Sequence, residues 1–189
     1  MRIKGHQVTL TQLIALCCYY GVCYWLPANC TPPRFLGRSL RRLRGAVCRR
    51  IFKSAGKDFN IERKAFFGLG TGIVIGDYSG IGPNCHVPSD TVIGNYVMMA
   101  PNCYILNRNH KVDDLDTPMV MQGDAERKTT VIGDDVWIGR NVLMTPGRHI
   151  ANGTIIAAGC VLCKDFPAYS VVGGNPSQLI KSRNTNAQS

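Results

Sequence analysis

Aliphatic residues recur every six positions along most of the chain. They form two series, separated by residues 107–129. The anchors are Ile75, Ile81, Val87, Ile93, Met99 and Ile105, then Ile132, Ile138, Met144, Ile150, Ile156 and Leu162. Glycine or alanine usually follows the anchor, and a small or β-branched residue usually lies two positions before it. This period matches neither an amphipathic helix nor the simple alternation of a half-buried strand.

The six-residue period predicts a mainly β fold, a parallel β-helix of hexapeptide repeats. One unit has room for a short strand and a turn, and three units close one triangular coil. Glycine or alanine follows the anchor because a tight corner needs a residue with little or no side chain. Stacked coils form three parallel sheets without ordinary edges along their sides. We assign this domain to residues 67–175.

The first 66 residues have a different pattern, and we predict an N-terminal helical, basic segment there. Apolar residues recur at helical spacing among basic ones, which indicates an amphipathic helix with a basic solvent face. The apolar positions are Leu36, Leu40, Leu43, Val47 and Ile51; the basic ones are Arg34, Arg38, Arg41, Arg42, Arg44, Arg49, Arg50, Lys53 and Lys57. Residues 8–26 are apolar, and we expect a docked helix that ends at Pro27, with a membrane-surface anchor as the alternative.

Composition limits the functional classes. The 189 residues are 45% hydrophobic and 18% charged, which fits a globular protein. The net charge of +10 favours an anionic partner, but no nucleic-acid-binding module accompanies it, so we expect no nucleic acid. The nine cysteines are odd in number and fit small buried residues of a reducing compartment. A cytoplasmic protein, in one alternative peripheral to the inner membrane face, is therefore expected.

Residues 107–129 interrupt the repeat and form a predicted loop. Loops of this length in a compact repeat domain are usually functional. The loop contains His110, whose imidazole suits general base catalysis near neutral pH, and Asp113 and Asp114 as candidates to orient the ring. A backbone carbonyl is the third candidate. Residues 176–189 are predicted to be a C-terminal tail.

The order of these motifs resembles a known family over residues 73–183. The stretch at 75–85 is IGDYSGIGPNC, the loop carries NRNH at 107–110, and VIGDDVWIGRNVLMTPG and AAGCVLCKDFPAYSVVGGNPSQLIKSR follow at 131–147 and 157–183. Together they are similar to the hexapeptide-repeat acyltransferases, in particular the maltose/galactoside and capsular or colanic-acid O-acetyltransferases. The resemblance implies a left-handed β-helix and acetyl transfer from acetyl-CoA to a hydroxyl of a sugar or surface-polysaccharide precursor.

The resemblance also implies roles for single residues. His110 matches the family's catalytic histidine, and Asn84 resembles an active-site asparagine, with a corner residue of the coil as the equal alternative. The implied coenzyme-binding residues are Trp137, Gly139, Arg140, Ala158, Lys164 and Arg183. Arg140 departs from the small residue that is usual at its site. The family further implies a homotrimer with active sites between subunits.

Two other functional classes share the predicted fold. A γ-carbonic-anhydrase-like metalloenzyme needs three histidine ligands, two of them close in sequence. The histidines here are His6, His86, His110 and His149, which are far apart, so no metal is expected. A non-catalytic β-helix scaffold is the second alternative, and the joint presence of His110, Asn84 and Trp137 argues against it. Besides a sugar or polysaccharide hydroxyl, the alternative acceptors are serine, an antibiotic of the streptogramin or chloramphenicol type, and an amino sugar as a target of N-acetylation.

Overall fold

The computed structural model describes residues 2–3 and 6–184. Two α-helices, α1 (Leu10–Cys18) and α2 (Arg34–Ile51), accompany a π-helical turn at Tyr19–Cys23 and a 3-10 turn at Met119–Met121. The strands in chain order are β1 (Arg2–Ile3), β2 (His6–Gln7), β3 (Ser54–Ala55), β4 (Asn60–Ile61), β5 (Val74–Ile75), β6 (Gly80–Ile81), β7 (Val92–Ile93), β8 (Met98–Met99), β9 (Tyr104–Ile105), β10 (Val131–Ile132), β11 (Trp137–Ile138), β12 (Leu143–Met144), β13 (His149–Ile150), β14 (Ile155–Ile156), β15 (Val161–Leu162), β16 (Ser170–Gly173) and β17 (Gln178–Ser182).

The strands from β3 to β16 form the three faces of a parallel prism. Face one contains β3, β5, β7, β10 and β13; face two contains β4, β6, β8, β11, β14 and β16; face three contains β9, β12 and β15. Every one of the twelve six-spaced anchors points into the core, with at most 7% of its surface exposed. The predicted parallel β-helix of hexapeptide repeats, with an N-terminal helix, is confirmed.

Three corners, named A, B and C, connect the faces. Corner A joins face one to face two (76–79 and equivalents), corner B joins face two to face three (82–85), and corner C joins face three to face one (88–91). At corner B, Asn84, Asn102 and Asn141 have φ values of 54°, 62° and 58°, in the left-handed region that asparagine tolerates. These corners return the chain in few residues, so the faces stack in register.

The coil begins earlier than the predicted boundary between residues 66 and 67. Strand β3 pairs in parallel with β5, and β4 pairs with β6, so the first coil begins at Ser54. The repeat is hard to recognise there because the inward positions hold Ala55 and Phe67 rather than the usual aliphatic residues. At the other end, β17 folds back antiparallel on β16. The predicted tail therefore adds a strand, and its last residues, 185–189, lie outside the described residues.

The N-terminal helices cover the end of the prism formed by its first coil, as the docked-helix prediction requires. Thr9 and Gln12 form a capping box at the start of α1, and the helical segment ends before Pro27. The Tyr19 hydroxyl donates to the Ala65 carbonyl at 2.7 Å, and the Tyr20 hydroxyl donates to Gly68 at 2.8 Å. Across residues 2–3 and 6–184, the structure contains no helix of the length and apolarity that crossing a bilayer demands.

One residue of the predicted basic solvent face is instead buried. The Arg44 guanidinium is 0% exposed and donates to the carbonyls of Cys23, Leu26 and Pro27 and to the side chain of Asn29. These carbonyls follow the irregular end of the first helical segment, where no helical N–H reaches them. Burial lowers the pKa of Arg44, and the nearby Glu62 carboxylate opposes that change. The buried stripe of α2 thus includes Arg44, while Leu36 and Leu43 remain exposed.

The nine cysteines are all free thiols, and they fall into two groups. Cys23, Cys48, Cys85, Cys103 and Cys160 are buried, as predicted for small core residues, whereas Cys17, Cys18, Cys30 and Cys163 are exposed. Cys85 and Cys103 stack at corner B, where each thiol lies near a carbonyl of the coil above. Their positions are those of the small inward residue of the repeat.

Candidate active site

The inserted loop leaves the prism at corner C, between β9 and β10, and its two limbs pair with each other. His110 and Asp124 form an antiparallel bridge. Lys111 N–H donates to the Gly123 carbonyl at 3.0 Å, and Ala125 N–H donates to Asn109 at 2.8 Å. This local pairing fixes the backbone on both sides of His110. Its imidazole is 72% exposed and therefore open to a bound molecule.

A carboxylate and an arginine support the His110 ring. Nδ1 of His110 lies 3.4 Å from Oδ1 of Asp124, and Arg108 donates to Oδ2 of the same carboxyl at 2.8 Å. The hydrogen bond from Arg108 is the main cause that lowers the pKa of Asp124 below its ordinary value. Asp124 is therefore ionised at neutral pH and favours a proton on Nδ1. Nε2 is then left with a free lone pair, as a general base requires.

Asp113, Asp114 and a backbone carbonyl were the sequence candidates for this orienting role, but the carboxylate beside the His110 ring is that of Asp124. Oδ1 of Asp114 accepts from the backbone N–H groups of Asp116 and Thr117, and its carbonyl accepts from Gln122. It thus closes a turn, since a short carboxylate competes well for nearby backbone donors. The hydrogen bonds from Thr117 and Asp116 lower the pKa of Asp114. Asp124 was missed because its pairing with His110 depends on how the loop folds back.

Asn84 begins a ladder of amides along corner B. Its Nδ2 donates to Oδ1 of Asn102 at 3.1 Å, and Nδ2 of Asn102 donates to Oδ1 of Asn141 at 3.1 Å. Within residues 2–3 and 6–184, no donor reaches Oδ1 of Asn84, and the residue is exposed. The left-handed backbone of Asn84 and its amide ladder are those expected of a corner residue of the coil. A free carbonyl oxygen and one free N–H remain for a ligand.

Four of the predicted coenzyme-binding residues lie around corner B. Trp137 projects outward from face two, in register with Met98 and Ile155, and is 50% exposed. Arg140 and Ala158 are exposed at the corner itself. Glycine is required at position 139 by local packing, because a Cβ there would lie 2.5 Å from the backbone nitrogen of Ala158. Glycine at this position lets successive coils approach each other closely.

The other two residues that the resemblance implies for coenzyme binding, Lys164 and Arg183, lie at the other corners. Lys164 is exposed at corner C, with its ammonium 5.4 Å from the centre of the Phe166 ring. Arg183 lies over corner A, where its guanidinium donates to the Gly153 carbonyl and lies 3.3 Å from Asp135. These contacts fasten β17 to the coil. Within one prism, then, His110 and Lys164 lie at corner C, Asn84 lies at corner B and Arg183 lies at corner A.

The described residues do not include a cluster of three or more histidine, cysteine, aspartate or glutamate side chains suited to a metal ion. His86 stacks against Tyr104 with ring centres 4.8 Å apart, and His149 projects from face one. Neither is in contact with His110, which is paired with Asp124. The side chain of His6 lies outside the described residues.

Comparison with known proteins identifies the family. A sequence profile for the bacterial transferase hexapeptide family (six repeats) matches residues 72–107 and 129–164, on either side of the inserted loop. A putative acetyltransferase of Saccharomyces cerevisiae is 34% identical over 137 residues, which cover 71% of this chain and 68% of the relative. The chain belongs to the hexapeptide-repeat transferase family. The resemblance inferred from the motifs is confirmed.

Solved structures of hexapeptide-repeat proteins share this architecture. A maltose O-acetyltransferase from Clostridium difficile is 27% identical with a TM-score of 0.71, and the match covers 91% of this chain and 86% of that one. A hexapeptide-repeat acetyltransferase from Vibrio cholerae, solved in complex with acetyl-CoA, is 29% identical with a TM-score of 0.66, covering 75% and 76%. Several curated chloramphenicol and macrolide acetyltransferases match over 54 to 59 residues, so the aligned segment spans only 26% to 30% of their length.

Proposed function

We propose that this chain is an O-acetyltransferase that moves the acetyl group of acetyl-CoA to a hydroxyl of a sugar or surface-polysaccharide precursor. The observation that carries the proposal is the exposed His110 imidazole, supported by Asp124 and Arg108 on the long insertion of a hexapeptide prism. The names of the yeast relative and of the two solved structures described above, all acetyltransferases, support the reaction class. The maltose O-acetyltransferase among the structural neighbours supports a sugar hydroxyl as the acceptor.

The proposed reaction uses His110 first as a base and then as an acid. Nε2 takes the proton of the acceptor hydroxyl while the oxygen attacks the thioester carbonyl carbon, which gives a tetrahedral intermediate with a negatively charged oxygen. The carbon–sulfur bond then breaks, and the coenzyme A thiolate receives the proton from the imidazolium. Asp124 stabilises the positive charge that His110 carries between the two steps. The free N–H of Asn84 is a candidate donor to the oxyanion, and its Oδ1 is a candidate acceptor for a sugar hydroxyl.

A homotrimer would explain why the site residues occupy different corners. Adjacent prisms would place corner B of one subunit, with Trp137, Arg140 and Ala158, opposite corner C of the next, with His110 and Lys164. The coenzyme would lie in that cleft with its phosphates near Lys164, whereas Arg183 lies at corner A, held by Gly153 and Asp135. Pre-alignment of thioester and hydroxyl between two rigid coils would supply part of the acceleration.

The exposed side chains of the N-terminal helices support a cytoplasmic protein that lies against the inner face of the membrane. Leu10, Ile14 and Leu43 are exposed by 43% to 73% on the outer surface of α1 and α2, and Arg42 and Arg50 lie on α2 nearby. Exposed apolar side chains beside arginines are typical of a helix that lies on an anionic lipid surface. This position would bring the enzyme to lipid-linked glycan precursors.

The proposed function is tested by the release of free thiol from acetyl-CoA. The purified protein is incubated with neutral sugars, sugar phosphates, nucleotide-linked sugars, serine and chloramphenicol in parallel. Thiol release that depends on a sugar-type acceptor is the expected result. Release that depends on chloramphenicol alone would replace the sugar acceptor with an antibiotic. Stoichiometric zinc with loss of activity on chelation would instead favour the metalloenzyme alternative.

The Asp124→Asn variant tests how His110 is positioned. The amide keeps the shape of the carboxylate but cannot stabilise the imidazolium, so kcat is expected to fall by about 10- to 100-fold. The KM for acetyl-CoA should change little, because Asp124 contacts the loop and not corner B. Asp113→Asn is the matched control and should retain the rate. Equal kcat values for the wild type and Asp124→Asn at every pH from about 6 to 9 would contradict the positioning role.

A further inference from the structure

A groove with an arginine-lined end runs between α2 and face two. Its first part, the arginine cleft, has a volume of about 500 Å³ and is lined by Arg38, Arg41, Arg42, Arg49, Asp58 and Phe59. Its second part, the coil-face cleft, has a volume of about 310 Å³. Asn60, Glu62, Gly80, Pro83 and Met98 are among its lining residues, and the Glu62 carboxylate accepts from the backbone N–H of Asn29. Arg41 and Asp58 line both clefts, so the two parts form one groove.

The charges of the arginine cleft are largely unbalanced. Asp58 is the acidic residue of its lining, and it lies 3.5 Å from Arg41. Arg49 donates to the carbonyls of Ala55 and Gly56 and lies over the Phe59 ring. Arg38 and Arg42 are exposed, and within residues 2–3 and 6–184 no acidic group pairs with them. Four arginines and one aspartate line this cleft, and the excess of positive charge favours an anion of more than one charge.

The coil-face cleft leads from these arginines toward Asn84. Gly80 holds the outward position of β6 opposite Asn60 of β4, and its missing side chain leaves the cleft floor open. At corner B the cleft is lined by Gly82 and Pro83, which immediately precede Asn84. Asn84, whose Oδ1 is free among the described residues, is the next residue along the chain.

An aromatic residue borders the cleft at corner A. Tyr78 lines it, is 53% exposed, and stacks on Tyr96 with ring centres 5.5 Å apart and an angle of 6°. Both tyrosines have left-handed backbone, with φ values of 55° and 58°, which costs a bulky residue more than glycine or asparagine. The corner thus carries two aromatic residues at positions whose backbone conformation favours glycine or asparagine. An exposed ring offers an apolar surface to one face of a sugar.

We propose that this groove binds the acceptor, and that the acceptor is a sugar that carries a phosphate or diphosphate. The phosphoryl group lies on Arg38, Arg41 and Arg42, the sugar lies along Tyr78 and the floor at Gly80, and the hydroxyl to be acetylated points to Asn84. This inference rests on the proposed function and names the substrate class. A phosphoryl group suits the cleft better than a sugar carboxylate, because it brings more negative charge to a lining with four arginines and one aspartate. A nucleotide-linked and a lipid-linked sugar share this chemistry.

The test compares matched acceptors on two double variants of equal charge change. Arg38→Gln with Arg42→Gln removes two cations of the cleft, and Arg34→Gln with Arg50→Gln removes two exposed cations of α2 outside it. The acceptors are glucose, glucuronate, glucose 1-phosphate, UDP-glucose and a polyprenyl diphosphate-linked glucose in detergent. The wild type should prefer the phosphorylated sugars by about tenfold or more in kcat/KM. The cleft double variant should lose that preference through a higher KM, with kcat and the KM for acetyl-CoA unchanged.

Each other outcome counts against the proposal. Equal use of glucose and its phosphorylated forms by the wild type, preference for glucuronate, or equal loss in both double variants would overturn it. A raised KM for acetyl-CoA in the cleft variant would assign the arginines to the coenzyme instead. The difference between UDP-glucose and the polyprenyl-linked sugar then identifies which source of diphosphate the site takes.

A binding measurement separates this proposal from the proposed function. Inorganic pyrophosphate is titrated into the wild type and both double variants by calorimetry, without acetyl-CoA. Weaker binding by about tenfold or more in the cleft variant alone supports the anion site even if no acceptor is acetylated. Binding that is equal in all three proteins overturns the site even if thiol release confirms acetyl transfer.

Discussion

Replacing His110 with alanine is expected to lower the rate of acetyl transfer by about 10²- to 10⁴-fold, the contribution typical of a positioned general base. The loss should appear in kcat, because the side chain acts on the reacting hydroxyl and not on the bound coenzyme. The imidazole is 72% exposed, and the loop pairing at His110 is made by backbone groups, so the fold should be unchanged. Steady-state thiol release and acetyl-CoA binding by calorimetry measure the two quantities separately.

The matched control for this variant is His149→Ala. His149 is also exposed, but it projects from face one and its backbone N–H, rather than its ring, binds Asp165. Its removal should leave kcat and KM unchanged. A His110→Ala protein with full activity would remove His110 from the mechanism. A combined His110→Ala, Asp124→Asn protein should be no slower than His110→Ala alone, since Asp124 acts through the imidazole.

Replacing Arg44 with alanine is expected to lower the free energy of unfolding by about 3 kcal/mol or more. The substitution leaves three carbonyls and the Asn29 side chain without their donor in a region that excludes water. It also leaves a cavity where a fully buried side chain stood. Urea unfolding followed by circular dichroism, at one fixed protein concentration, measures the change in the free energy of unfolding.

The control for Arg44 is Arg34→Ala on the same helix. Arg34 is exposed in the first turn of α2, so its loss should change the free energy of unfolding by less than about 0.5 kcal/mol. Equal stability of the Arg44→Ala and Arg34→Ala proteins would show that the buried hydrogen bonds contribute little. Arg44→Lys should remain unstable, because one ammonium cannot reach four acceptors in different directions.

The hexapeptide period predicts the prism well because each coil repeats one local rule. Ile75 or Ile138 is buried for the same reason as every other anchor, and no long-range information is needed. The rule weakens in the first coil, where Ala55 and Phe67 face inward and the helices cover the core instead of another coil. The sequence boundary at residue 67 was therefore too late.

Arg44 and Asp124 show what a pattern of residues leaves undetermined. Arg44 lies among other arginines in the sequence, and only the carbonyls at the irregular end of the first helical segment make its burial favourable. Asp124 lies fourteen positions from His110 and becomes its neighbour when the loop limbs pair. Both depend on backbone geometry outside the regular repeat. His110 is nevertheless singled out by its place in the insertion and by the motifs around it, and its role as general base stays a prediction.

The central claim is tested most directly by following labelled acetyl-CoA to its product. The wild-type protein is incubated with acetyl-labelled acetyl-CoA and the sugar and sugar-phosphate acceptors, and the labelled product is treated with mild alkali. We predict acceptor-dependent transfer of the label into a product that alkali releases, as an ester on oxygen requires, and no transfer with His110→Ala. No acceptor-dependent labelling, or a product stable to alkali as an amide is, would contradict O-acetyl transfer by this site.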